Sequence, residues 1–144
     1  MKKEEIESKE KKEEIIVNGE KTAVGRLATY CAKQALLGNK VVVVNCEKAI
    51  ITGPKAAILQ TYRSKKERGG TAQKGPYFSR DAESIVRRAI RGMLPWKKAR
   101  GKEVFRTIKC YSGMPKEYKD KKAINLGGEI KGPYLSIKEV SRLI

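Results

Sequence analysis

Lys40-Val41-Val42-Val43-Val44-Asn45 places four valines in succession. A strand with one face in water alternates apolar and polar residues. Four apolar residues without alternation mean that both faces are covered, as in the middle of a parallel sheet. β-Branched side chains suit that crowded, pleated setting. The run therefore predicts a central strand, and its flanks extend the pattern. Upstream, Ile15-Ile16-Val17 is a short apolar run closed by the turn pair Asn18-Gly19. A helix is predicted from about Val24 to Leu37, because Val24, Leu27, Ala28, Cys31 and Ala35 recur at helical spacing and Gly38-Asn39 follows as a stop. Downstream, Ile50-Ile51-Thr52 is a second short strand. Gly53-Pro54 then opens a helix with Ile58, Leu59 and Tyr62 on one face, which runs into the basic stretch Arg63–Arg68 and breaks at Gly69-Gly70.

The rest of the chain continues the alternation of strands and helices. Residues 69–80 read as a loop. Asp81–Leu94 is the clearest amphipathic helix, with Ile85, Val86, Ala89, Ile90 and Met93 as its apolar stripe and Arg87, Arg88 and Arg91 on the other side. Pro95 ends it, Lys97–Lys102 reads as a basic loop or turn, and Val104-Phe105 as a short helix leading into a last strand through Ile108, Cys110 and Tyr111. Residues 112–132, rich in Gly, Pro and Lys, read as mostly irregular. Ser136-x-x-Glu139 has the spacing of a capping box before a short last helix. Alternating strands and helices make βαβ units, hence an α/β fold with a mostly parallel sheet.

Charge identifies the partner. The 144 residues carry 33 Lys and Arg against 16 Asp and Glu, net +17. Residues 2–14 hold five Lys and six Glu, so the other 130 residues from Ile15 onward carry +18. That first tract has Glu5–Lys9 and Glu7–Lys11 at helical spacing, and a frayed helix or a disordered arm both fit it. Residues 62–109 alone hold fifteen bases and four acids, Glu67, Asp81, Glu83 and Glu103. A folded surface this positive repels itself unless something anionic covers it, and a polyphosphate backbone is the usual cover.

Several function classes recede. The chain has no histidine, which removes the commonest general base and the Ser/His and Cys/His nucleophile pairs. Gly53-Pro54-Lys55 and Gly38-Asn39-Lys40 match no phosphate-loop pattern. Glu47, Glu67, Asp81 and Glu83 read as caps and surface charges, so no catalytic residue is expected. Cys31, Cys46 and Cys110 fit no zinc spacing, and buried reduced thiols in a cytoplasmic protein are expected. No metal or cofactor is expected. No apolar run is long enough for a membrane span, no signal peptide is visible, and no homo-oligomer is expected.

The candidate RNA-contacting residues are Arg26, Lys55, Arg63, Lys65, Lys66, Arg68, Lys74, Arg80, Arg87, Arg88, Arg91, Trp96, Lys97, Lys98, Arg100 and Lys102. The arginines suit phosphate through their planar fork. Exposed on a helix, Arg87, Arg88 and Arg91 are expected to matter little for folding. Trp96 beside Lys97-Lys98, and Tyr77-Phe78 between Lys74 and Arg80, have two readings. They stack on unpaired bases, or they pin their loops to the core.

Three segments together resemble one family. They are Val24-Gly25-Arg26-Leu27-Ala28; Val41–Lys48 followed by Ile51-Thr52-Gly53-Pro54-Lys55; and Ile90-Arg91-Gly92-Met93-Leu94-Pro95 followed by Gly101 and Lys109-Cys110-Tyr111-Ser112-Gly113. In order and spacing they resemble large-subunit ribosomal protein thirteen over roughly residues 15–118, and the ending Ile137–Ile144 looks like the archaeal type. The resemblance implies a three-layer α/β/α fold with a four-stranded parallel sheet. It also implies a structural role in the cytoplasmic ribosome: binding large-subunit ribosomal RNA beside neighbouring large-subunit proteins and supporting subunit assembly. The expected division is a Lys/Glu arm at 1–14, an RNA-binding domain at 15–118 and an extension at 119–144 that packs on it. The rival functions are a free-standing RNA-binding regulator or chaperone, and a small nucleotide-binding α/β enzyme.

Overall fold

The computed structural model describes residues 13–144, so the expected Lys/Glu arm falls, apart from Glu13 and Glu14, outside the described residues. The order of elements is β1 (Glu14–Asn18), α1 (Val24–Leu36), β2 (Lys40–Val44), β3 (Ile50–Thr52), α2 (Lys55–Glu67), α3 (Ala82–Gly92), α4 (Ala99–Arg106), β4 (Ile108–Cys110), β5 (Ile124–Asn125), β6 (Tyr134–Ser136) and α5 (Ile137–Leu143). Short 3₁₀ turns occupy Cys46–Lys48 and Lys116–Tyr118.

The valine run lies inside the sheet. Four parallel strands run in the order β4-β2-β1-β5. β2 pairs with β1 from Glu14↔Lys40 to Asn18↔Val44, and with β4 from Val41↔Ile108 to Val43↔Cys110. Val41 and Val43 face the main core with Val17, Ile108 and the buried faces of α1 and α3. Val42 and Val44 face the other way, against Ile16 and Tyr118. All four valines are buried, which is why the run shows no alternation. Each such burial is worth roughly 1.5–3 kcal/mol. The second face is closed by a thin layer, the 3₁₀ turn at Lys116–Tyr118 with Tyr111, Met114 and Ala123 beside it.

A smaller antiparallel sheet, β3 with β6, carries a second core of Ile58, Leu135 and Val140 between α2 and α5. The capping box of α5 forms as its spacing implied: Glu139 N–H donates to Ser136 Oγ at 3.3 Å, and Ser136 N–H to Glu139 Oε2 at 3.0 Å. Gly38, at φ +98°, ends α1 in a conformation that L side chains rarely adopt.

Four expectations change. Of Lys97–Lys102 only Lys97 and Lys98 form the turn, since α4 starts at Ala99; Lys98 at its N-cap makes no side-chain cap bond, so the start carries no sequence signal. Met93 leaves the apolar stripe of α3, because that helix stops at Gly92 and Met93 is 44% exposed. Tyr111 lies past the end of β4. Strands β5 and β6 arise in and just beyond the Gly/Pro/Lys-rich stretch, and at two and three residues they are too short to show a period. The three thiols are free and buried in the main core. Burial pushes the Cys31 thiol up to about 12, and the Cys110 thiol together with burial pushes Cys46 up. Raised thiols are poor nucleophiles.

Candidate nucleic-acid interface

Helix α3 is built to present bases. Ala82, Ile85, Val86 and Ile90 are buried along one side, which leaves Arg87 and Arg88 exposed and Arg91 half-exposed. None of the three stands alone in solvent. The Arg87 guanidinium lies over the Phe105 ring at 4.5 Å, Arg88 over Phe78 at 4.7 Å, and Arg91 over Trp96 at 4.2 Å. Trp96 and Phe105 meet edge to face with ring centres 5.2 Å apart. Phe78 meets Tyr62 of α2 at 6.0 Å, and Lys65 sits over the outer Tyr62 ring at 5.0 Å. Each stack restricts a long side chain while leaving its N–H edges available, which lowers the entropy cost of gripping a phosphate.

Phe78 and Trp96 make the contacts within the chain that the anchoring reading expects. Both are half-buried and already hold intramolecular partners. Tyr77 is 70% exposed, and its hydroxyl donates to the Ala72 carbonyl within the loop.

The chain reversal between α3 and α4 rests on a glycine. A Cβ on Gly101 would lie 2.1 Å from the Pro95 carbonyl oxygen, so α4 can sit on the Leu94–Trp96 turn only with hydrogen at that position. That contact brings Phe105 of α4 against Trp96.

Acids serve the scaffold. Glu83 Oε1 accepts from Ser112 N–H at 2.9 Å, and Glu47 Oε2 from Gly113 N–H at 2.8 Å, so together they hold the loop after β4. Among the described residues the two ion pairs are Lys48–Glu20 and Lys121–Glu14. Neither draws on the bases of 62–109, so among the described residues no carboxylate neutralises their charge.

The other candidates separate by what they touch. Arg63 donates to the Leu143 carbonyl at 3.2 Å and Lys66 to the main-chain oxygen of Ile144 at 2.6 Å, binding the end of α2 to the end of α5. Arg100 donates to the Leu36 carbonyl at 2.9 Å, capping the last turn of α1. Arg26 and Lys55 stand exposed in the first turns of α1 and α2. Lys74 and Arg80 are exposed in the 69–80 loop, and Arg68 follows α2 directly. Lys97, Lys98 and Lys102 are exposed at the start of α4. The structure thus gathers Arg87, Arg88, Arg91 and Trp96 into one surface, and turns Arg63, Lys66 and Arg100 toward their own chain.

The candidate set drawn from the sequence left out Phe105 and Ser84, and also Arg106 and Lys109, although these two stood among the fifteen bases of 62–109. Ser84 and Phe105 join Arg87, Arg88, Arg91 and Trp96 around an open cleft of about 380 Å³. Arg106 and Lys109 border an adjoining cleft of about 330 Å³. Arg106 lies four residues after Lys102, and that helical spacing was the available signal.

Comparison with known proteins identifies the family. Residues 12–117 match the family described as ribosomal protein L13. A protein of Methanococcus maripaludis named large ribosomal subunit protein uL13 is 45% identical over 136 residues, covering 90% of this chain and 96% of that protein. The protein of the same name from Archaeoglobus fulgidus is 39% identical over 127 residues, covering 84% and 81%. That of Sulfolobus acidocaldarius is 38% identical over 137 residues, covering 90% and 92%. With a family match over residues 12–117 and relatives up to 45% identical over most of its length, the chain belongs to the ribosomal protein L13 family.

Proposed function

We propose that this protein is a structural constituent of the large ribosomal subunit, binding large-subunit ribosomal RNA through the α3–α4 face and supporting subunit assembly in the cytoplasm. The observation that carries the reading is the row Arg87, Arg88 and Arg91, stacked on the protein's own rings and without carboxylate partners among the described residues. A structural ribosomal family also sets the nucleotide-binding enzyme aside. Lys97, Lys98 and Lys102 extend the surface at the start of α4, with Lys74, Arg80, Lys65 and Arg68 on the side of Phe78. Residues 15–118 act as the RNA-binding body, and 119–144 as an extension packed on it. Neighbouring large-subunit proteins meet the remaining surface. No helix of the described residues is long and apolar enough to cross a membrane.

The test is the salt dependence of binding to large-subunit RNA. If roughly eight phosphates are neutralised, log affinity falls against log salt with a slope of about −6 to −7. A slope shallower than about −2 overturns phosphate-dominated binding. Sedimentation separates the rival regulator: a subunit constituent co-migrates stoichiometrically with large subunits, and a regulator does not.

A further inference from the structure

We propose that the cleft between α3 and α4 receives a single unpaired guanine of the bound RNA. This rests on the RNA-binding reading above and assigns a ligand to one place within it. The cleft, about 380 Å³, is lined by Ser84, Arg87, Arg88, Arg91, Trp96 and Phe105. That volume is in the range of ligand clefts. Its floor is aromatic: Trp96 and Phe105 lock edge to face at 5.2 Å, with Arg91 over one ring and Arg87 over the other. The inner faces of these two guanidiniums are therefore taken. Their outer faces are flat, cationic and weakly hydrated, and a base stacks on such a plane as it does on a ring.

The chemistry of the walls selects the base. Arginine offers only donors, and the cleft is lined by three arginines and no carboxylate or amide side chain. The Ser84 hydroxyl can donate or accept. The complementary edge is one of adjacent acceptors. Guanine presents O6 and N7 together on a purine ring, whereas adenine presents N7 beside an amino donor, and an unpaired cytosine has adjacent acceptors in N3 and O2 but a smaller ring to stack. Uracil has acceptors but a smaller ring to stack. The base must be unpaired, because the deep, narrow major groove of an RNA duplex keeps that edge from side chains. The adjoining cleft shares Arg87 and Ser84 and has Arg106 and Lys109 on its rim; its one carboxylate, Glu83, is already held by Ser112 N–H, so the net positive charge there suits a flanking phosphate.

The chain has one tryptophan, so the emission of Trp96 reports on this cleft alone. The experiment titrates the full chain with three end-labelled hairpin RNAs at low salt. They are identical except for a single bulged guanine, a single bulged adenine, or no bulge. Label anisotropy gives affinity, and tryptophan emission gives occupancy of the cleft. The expected result is that the guanine bulge binds about tenfold more tightly than the other two, in line with one well-read base edge, and that it alone changes Trp96 emission. In the Arg87→Lys, Arg91→Lys double variant, checked for folding by its melt, the guanine preference disappears, because the planar outer faces are gone while the charge is kept. Equal affinity for all three hairpins with no distinct tryptophan response overturns the guanine cleft and leaves RNA binding standing. So does a guanine preference that survives in the double variant. Failure of all three hairpins to bind overturns the RNA reading itself, and the cleft with it.

Discussion

Helices α2 and α3 carry similar charge in sequence and use it differently. α2 holds Arg63, Lys65 and Lys66 near its end, but it buries only Ile58. Two of those bases reach carbonyls at the end of α5. α3 buries four residues and holds its three arginines over rings. A charge that already has an acceptor in its own chain has less to offer an RNA. A charge that is oriented but unneutralised has more. Counting bases therefore points to an RNA-binding protein, while the partner of each base is what singles out the surface proposed above.

The largest effect should come from the corner that supports the α3 side. Gly101→Ala puts a methyl 2.1 Å from the Pro95 carbonyl oxygen, so backbone must move. A loss of about 3 kcal/mol is expected, at the upper end of overpacking costs, with RNA affinity falling as Phe105 leaves Trp96. Gly69→Ala, just beyond α2, meets the Glu67 carbonyl oxygen at an ordinary 3.8 Å and should change stability by no more than about 0.5 kcal/mol. Denaturant melts of the two variants decide this, and equal losses would mean that the corner is not special.

Next in size is Arg87→Gln, Arg88→Gln, Arg91→Gln. If each contact to phosphate contributes about 1.5–3 kcal/mol before entropy costs, affinity for large-subunit RNA should drop by orders of magnitude. Exposed arginines on a helix would cost the fold almost nothing. Here they cover three rings, so stability should also fall, by about 1–3 kcal/mol in total. An unchanged melt would show that the stacks contribute nothing. An unchanged RNA affinity would place the interface elsewhere.

The core was legible because its signals are local. Four valines need two buried faces, and the stripe Ile85, Val86, Ile90 needs one. The capping box at Ser136 and Glu139 is equally local. What escaped depends on contacts distant in sequence. The start of α4 has no cap residue, and its place depends on Gly101 meeting Pro95. Strand β6 exists because β3, more than eighty residues earlier, is there to pair with it. At the site, the bases were visible but not their neighbours. Nothing near Arg88 in sequence says that Phe78 will lie beneath it, or near Arg63 that it will reach Leu143. Conversely, the GMLP segment followed by Gly101 carried the family resemblance before its physical cause was on view.

The smallest predicted effect tests the α2 half of the comparison. Arg63→Ala with Lys66→Ala removes two donors from the main-chain oxygens of Leu143 and Ile144. Both side chains are exposed, so each bond is screened and worth no more than about 0.5 kcal/mol. Global stability should fall by about 1 kcal/mol or less. The loss should be concentrated in α5, because its other anchors, Ile137 and Val140, stay buried while its last turn loses its ties. Amide exchange of the last turn of α5 should therefore quicken, with the exchange of β2 unchanged. RNA affinity should fall only a few-fold through the general loss of two charges, far less than for the α3 triple variant. If the α2 pair instead costs as much RNA affinity as the three α3 arginines and leaves α5 exchange untouched, its bonds to the chain are incidental. The two helices would then form one RNA surface, and the distinction between them would fail.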